Sequence, residues 1–140
     1  MDQESIVYGC IKDISDYRKD VERRAINRQS MLALPKSEDW PYVSREMFAI
    51  PRIEVSADNY QTEVMHFGAS YKAIEYEWKE WMKHFESLLD SMYWVSAIVH
   101  LETELAGVHT FTWESKNNGH TPGSGINQVH CEWTQEQSFL

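Results

Sequence analysis

The feature that most constrains this chain is a change of hydrophobic period with almost no turn between the two halves. At 100° per residue, Ile74, Trp78, Trp81, Met82, Phe85, Leu88, Leu89 and Met92 fall in one sector of about 120°, the mark of an amphipathic helix. Glu75, Lys79, Glu80, Lys83, Ser87 and Asp90 fall outside it. From Tyr93 to Glu102 the period drops to two, the period of a strand with unlike faces. Tyr93, Val95, Ala97, Val99 and Leu101 share one side, and Trp94, Ser96, Ile98, His100 and Glu102 the other. A helix that runs straight into a strand must fold back and lie on the sheet that the strand belongs to. Trp78 and Trp81 are then core anchors, and the carboxylates between them are the helix's solvated back.

Two more strands follow. Val108 to Ser115 sets His109, Phe111 and Trp113 against Val108, Thr110, Thr112 and Glu114. Ile126 to Gln135 sets Val129, Cys131 and Trp133 against Gln128, His130, Glu132 and Thr134. The segment SKNNGHTPGSG between them reads as a flexible loop. Upstream, Ser5 to Lys12 is a short strand, and a helix capped by Ser15 or Asp13 runs to about Leu34, before Pro35. Tyr17, Val21, Ala25 and Leu32 share a face of that helix, with Arg28 in its midst. Residues 35–60 hold three prolines among Trp40, Phe48 and Ile50, an ordered connector packed on the core. Thr62 to Ser70 alternates as a strand. The order is β-α-(connector)-β-α-β-β-β. It predicts a single domain over residues 1–140 of α+β class: a two-layer sandwich with a mostly antiparallel sheet, a C-terminal three-strand meander and two helices on one face.

With 140 residues the chain is long enough to bury a core without staples. Its two cysteines are far apart and lack metal spacing, which suggests buried, reduced thiols and a cytoplasmic setting. The longest apolar run, Met92 to Leu101, is about half a membrane span, so no membrane partner is expected. Formal charge is −9, all of it from residues 53–140, with four Lys/Arg against thirteen Asp/Glu. That balance argues against nucleic acid, which needs a basic footprint, and suits a basic protein partner. The basic residues from Arg18 to Arg28 are interleaved with acids, as on a solvated helix.

The sheet's second, polar face is the candidate site. It collects Trp94, Ile98, His100, Glu102, Thr110, Thr112, Glu114, His130 and Glu132. The two HxE pairs, His100–Glu102 and His130–Glu132, each put an imidazole and a carboxylate on one side of a strand. That arrangement serves acid/base chemistry or zinc, although alternating polar residues on any solvated sheet look the same. GHTPGSG lacks the Gly-Lys-Ser/Thr ending of a phosphate loop, and no nucleophile, metalloprotease or dinucleotide motif occurs. The expectation is therefore no cofactor, no metal and no catalytic residue.

The stretches MFAIP, VMHFGASYKAIEYEWKEWMKHF and YWVSAIVHLETELAGVHTFTWES, within roughly residues 46 to 114, resemble small immunity-type proteins of bacterial polymorphic (Rhs or contact-dependent) toxin systems. The resemblance implies a non-enzymatic cytosolic protein that binds and occludes one cognate toxin domain; it carries no residue-level motif. The alternative is a small hydrolase or metal-binding enzyme using His100, Glu102, His130 and Glu132. A third reading is an oligomerising domain, the chain otherwise being a monomer or weak homodimer.

Overall fold

A computed structural model describes residues 4–13, 20–38, 42–49, 63–115, 119–126 and 130–134. The elements are β1 (Glu4–Asp13), α1 (Asp20–Leu32), a 3-10 turn Arg45–Met47, β2 (Glu63–Lys72), a second 3-10 turn Ile74–Glu77, α2 (Trp78–Asp90), β3 (Ser96–Thr103), β4 (Gly107–Glu114) and β5 (His130–Thr134). The strands form one five-stranded sheet in the order β2-β1-β3-β4-β5, antiparallel throughout. The α+β class, the element order and the C-terminal meander stand as read from sequence. What periodicity did not reveal is that β1 and β2 extend the meander's sheet, β1 lying directly beside β3.

One sheet face is covered. Val7, Ile11, Met65, Phe67, Ala97, Val99, Leu101 and Trp113 are buried on it. α2 lays its stripe there: Trp81, Phe85, Leu88 and Leu89 are buried, and the Phe85 ring meets both Phe67 (5.3 Å) and Trp113 (5.1 Å). The stripe continues beyond the helix into buried Ile74 and Met92. Trp78 is only half-buried and stacks on Trp81 at 4.8 Å. Two helix carboxylates expected to be solvated are engaged instead: Glu86 accepts from Trp113 Nε1 (3.1 Å), and Glu75 from the buried Ser5 hydroxyl (2.5 Å).

α1 lies on the same side but is seated differently from the expected face. Ala25 is exposed and Arg28 only partly covered, while Arg23, Asn27 and Met31, one turn apart, are buried. Of the two expected helix caps, Ser15 lies outside the described residues, and Asp13 holds another position. It ends β1, buried, and its carboxylate accepts from Arg23 Nε (3.1 Å) and NH2 (2.5 Å). Asn27 spans the Tyr93 backbone, donating to its carbonyl (2.9 Å) and accepting from its N–H (2.7 Å). Apolar spacing could not find a face whose fixed points are polar. In the connector, Val43, Met47 and Phe48 are buried, and Phe48 bridges to Phe67 on β2; Trp40 and Ile50 lie outside the described residues.

The segment read as a flexible loop is pinned over residues 119–126. His120 is buried against Trp94, with ring centroids 4.9 Å apart, and its Nδ1–H donates to the Met92 carbonyl (2.9 Å). The Gly123 N–H donates to Asp90 O (2.8 Å) and that of Gly125 to Asp90 Oδ1 (3.0 Å). Trp94 is consequently core: 2% exposed, with Nε1–H donating to Leu89 O (2.9 Å). It precedes β3, and the helix-to-strand turn directs it beneath the loop, so the expectation that Trp94 anchors a surface is corrected. The thiols are not both buried either: Cys10 is half-buried and Cys131 exposed.

Candidate functional site

The helices leave the other sheet face uncovered, and strand register assembles it in rows. Side chains alternate along a strand, so residues paired across strands share a face. From β2 to β4 the rows are Ser70–Ile6–Glu102–Val108, Gly68–Tyr8–His100–Thr110, His66–Cys10–Ile98–Thr112 and Val64–Lys12–Ser96–Glu114. Backbone pairing continues three of them onto β5, with Thr134 opposite Val108, Glu132 opposite Thr110 and His130 opposite Thr112. Of the nine residues expected on this face, Ile98, His100, Glu102, Thr110, Thr112 and Glu114 are brought together. His130 and Glu132 hold register positions in line with them, and their side chains lie outside the described residues. Trp94 is not there.

The register also separates the two HxE pairs. β4 stands between β3 and β5, which puts His100 and His130 roughly 10 Å apart by strand spacing. His100 is engaged across the strands rather than by Glu102: its Nδ1 shares a hydrogen bond with Thr110 Oγ1 (2.9 Å), and its ring lies against Tyr8 at 4.9 Å. Among the described residues, no three His, Cys, Asp or Glu side chains converge as a metal site.

The centre of the face is apolar and aromatic, and sequence reading missed most of it. Ile6, Tyr8 and Val64 keep 38%, 37% and 37% of their surface exposed. Tyr8, Cys10, His66, Ile98 and His100 border a shallow depression of about 370 Å³. Gly9 lies in its floor, and a Cβ there would sit 1.9 Å from the Ile98 carbonyl oxygen. Glycine is thus required for β1 to approach β3 this closely. The missing signal was the partner strand. Ser5–Lys12 alternates between two apolar sets, Val7/Ile11 and Ile6/Tyr8, and composition alone does not say which points outward.

Charge is unevenly spread. On β3 and β4 the charged residues of this face are Glu102 and Glu114, while β1 and β2 carry Lys12 and Lys72 together with Glu4, which stands opposite Lys72. The face therefore has an aromatic-aliphatic middle with an acidic side. On the covered face, by contrast, burial pushes the His109 imidazole below its ordinary pKa and the Tyr71 phenol above its own. Among the described residues, no helix is long and apolar enough to cross a membrane. Compared with protein-family models, characterised proteins and solved structures, the chain shows no match.

Proposed function

We propose that this protein is a non-enzymatic inhibitor, an immunity-type protein that binds a cognate bacterial toxin domain with its uncovered sheet face and occludes it. The observation that carries this reading is the exposed Ile6 and Tyr8 on β1 and Val64 on the edge strand β2, with Ile98 on β3 next to them and the carboxylates of Glu102 and Glu114 on the β3–β4 side. Protein interfaces have this anatomy: a few aromatic or aliphatic anchors at the centre and polar, charged residues at the rim. The acidity of residues 53–140 suits a basic toxin surface, whose approach it would accelerate. A cytoplasmic protein guarding the cell that makes the toxin fits the resemblance of residues 46 to 114.

Tyr8 replaces Trp94 as the central anchor. In a calorimetric titration against the product of the gene immediately upstream, Tyr8→Ala should weaken binding by about 2 kcal/mol or more, chiefly through faster dissociation. Glu102→Lys and Glu114→Lys should mainly slow association, and added salt should shrink that effect. If these variants bind like wild type while a reversal at Glu80 on α2 does not, the surface is wrong and inhibition stands. No binding by wild type would sink the inhibitor reading itself.

A further inference from the structure

The loop of residues 119–126, closed over the turn from α2 to β3, is built around one titratable side chain. His120 is buried, its side chain 5% exposed. A neutral imidazole has one N–H and one lone pair. The Met92 carbonyl can only accept, so its 2.9 Å hydrogen bond places the ring proton on Nδ1. Nε2 is then a bare acceptor. It is buried with no hydrogen-bond partner among the described residues, and Asp90 Oδ1 stands 3.5 Å away. That oxygen is a second acceptor, already taking the Gly125 N–H (3.0 Å). With His120 neutral, two lone-pair atoms face each other beneath the loop, an unfavourable arrangement where water is excluded. The imidazolium removes the conflict, because both ring nitrogens then donate, one to Met92 O and the other to the Asp90 carboxylate. A charged pair from other elements also reaches the loop. Arg23 of α1 has its NH2 3.6 Å from where a Cβ of Gly119 would stand, and its guanidinium lies over the Tyr93 ring. Asp13 of β1 balances that charge as an ion pair. At the adjoining end of the sheet, Lys12 and Glu114 belong to the uncovered face, one of each sign.

We propose that His120 makes this loop a proton-operated latch. With the proton bound, the imidazolium ties the loop to Asp90 and Met92 and holds it closed on Trp94. When Nε2 gives its proton to water, the Asp90 contact is lost and an unpaired acceptor remains under the loop. The loop then opens more often, uncovering the Trp94 indole and the end of α2. Only the closed loop offers the imidazolium both acceptors, so closing favours the proton-bound form. The latch therefore holds on the acid side and slackens as pH rises. Histidine is the side chain that changes charge near neutral pH, which brings the switch within reach of a living cell. The latch is independent of the toxin-binding reading, since it uses neither Tyr8 nor Glu102 nor Glu114.

Long-range nitrogen–proton magnetic resonance spectra of the full chain report the tautomer and charge of His120, assigned through His120→Gln. Latch opening is read from hydrogen exchange at two sites, corrected for the intrinsic pH dependence of exchange. One is the Trp94 indole N–H, which donates to Leu89 O, and the other the His120 amide, which donates to Trp94 O (2.7 Å). Exchange is preferred to melting because burial gives His109 its own pH slope in melts. Neutral His120 should carry its proton on Nδ1. Protection at both sites should fall about tenfold as His120 loses its charge, the loss of one charge-assisted contact. Asp90→Asn keeps an acceptor for Gly125, and its amide can donate to neutral Nε2, so the fall should shrink to about threefold or less. His120→Gln should abolish the pH response of the Trp94 indole; if that variant does not fold, Asp90→Asn carries the comparison. The proposal is overturned if neutral His120 carries its proton on Nε2, or if its charge does not change between about pH 5 and 8. It is equally overturned if protection is the same on both sides of the titration, or if Asp90→Asn responds like wild type.

Discussion

Helices α1 and α2 each have thirteen residues and lie on the same side of the sheet, yet different forces seat them. α2 buries an apolar stripe in which the rings of Trp81, Phe85 and Trp113 pack together. α1 buries an arginine and an asparagine, the first paired with Asp13 at the end of β1 and the second with the Tyr93 backbone far along the chain, with Met31 below them. The first attachment is non-directional and grows with the area removed from water. The second depends on geometry, because a buried charge or amide without its partner costs more than the bond contributed. A stripe can slide or repack; an ion pair from Asp13 to Arg23 fixes where the first helix must begin its descent along the sheet.

That contrast can be broken by mutation. The largest effects should come from both seats alike: Phe85→Ala at about 3–5 kcal/mol through cavity formation, and Arg23→Ala at about 3–5 kcal/mol through loss of the buried ion pair to Asp13. Urea melts would compare them, and an Arg23→Ala cost under about 1 kcal/mol would put α1 on its Met31 contact instead. The double change Asp13→Leu with Arg23→Met sharpens the difference. It should recover most of the Arg23→Ala loss, since a well-packed apolar pair is often no less stable than a buried ion pair; no pairing of changes at Phe85 and Trp113 should do so.

Asn27→Ala should cost about 1–3 kcal/mol, because both backbone groups of Tyr93 lose their partner. The smallest change belongs to the solvated side of α2, where Glu80→Ala should stay within about 0.5 kcal/mol. A larger loss there would mean that the acid back of the helix is not a free surface. Acidification tests the covered sheet face. Burial lowers the His109 pKa, so the unfolded chain binds the proton more readily and stability should fall as pH drops through the ordinary histidine range. His109→Gln should flatten that slope in melts across pH.

The candidate surface was legible in proportion to how local its signal was. Ile98, His100, Glu102, Thr110, Thr112 and Glu114 could be placed on one face because alternation within β3 and β4 is a property of short segments. Ile6, Tyr8, His66 and Val64 could not, because their exposure depends on β1 pairing with β3 and β2 with β1, contacts between segments far apart in the chain. Trp94 failed for the opposite reason. Alternation extended one residue pair too far, into a turn where His120 covers the indole.

What the sequence determined by itself is the set of elements: where the period is 3.6, where it is two, and which side of α2 is apolar. Those follow from side-chain geometry repeated along a few turns or a few residues. The tertiary structure alone decided the sheet order, the polar seat of α1, the clasp of residues 119–126 over Trp94, and the shallow depression beside Gly9 on the uncovered face. Each of these depends on a partner distant in the chain, and a single buried hydrogen bond or ion pair leaves no period in the sequence to read.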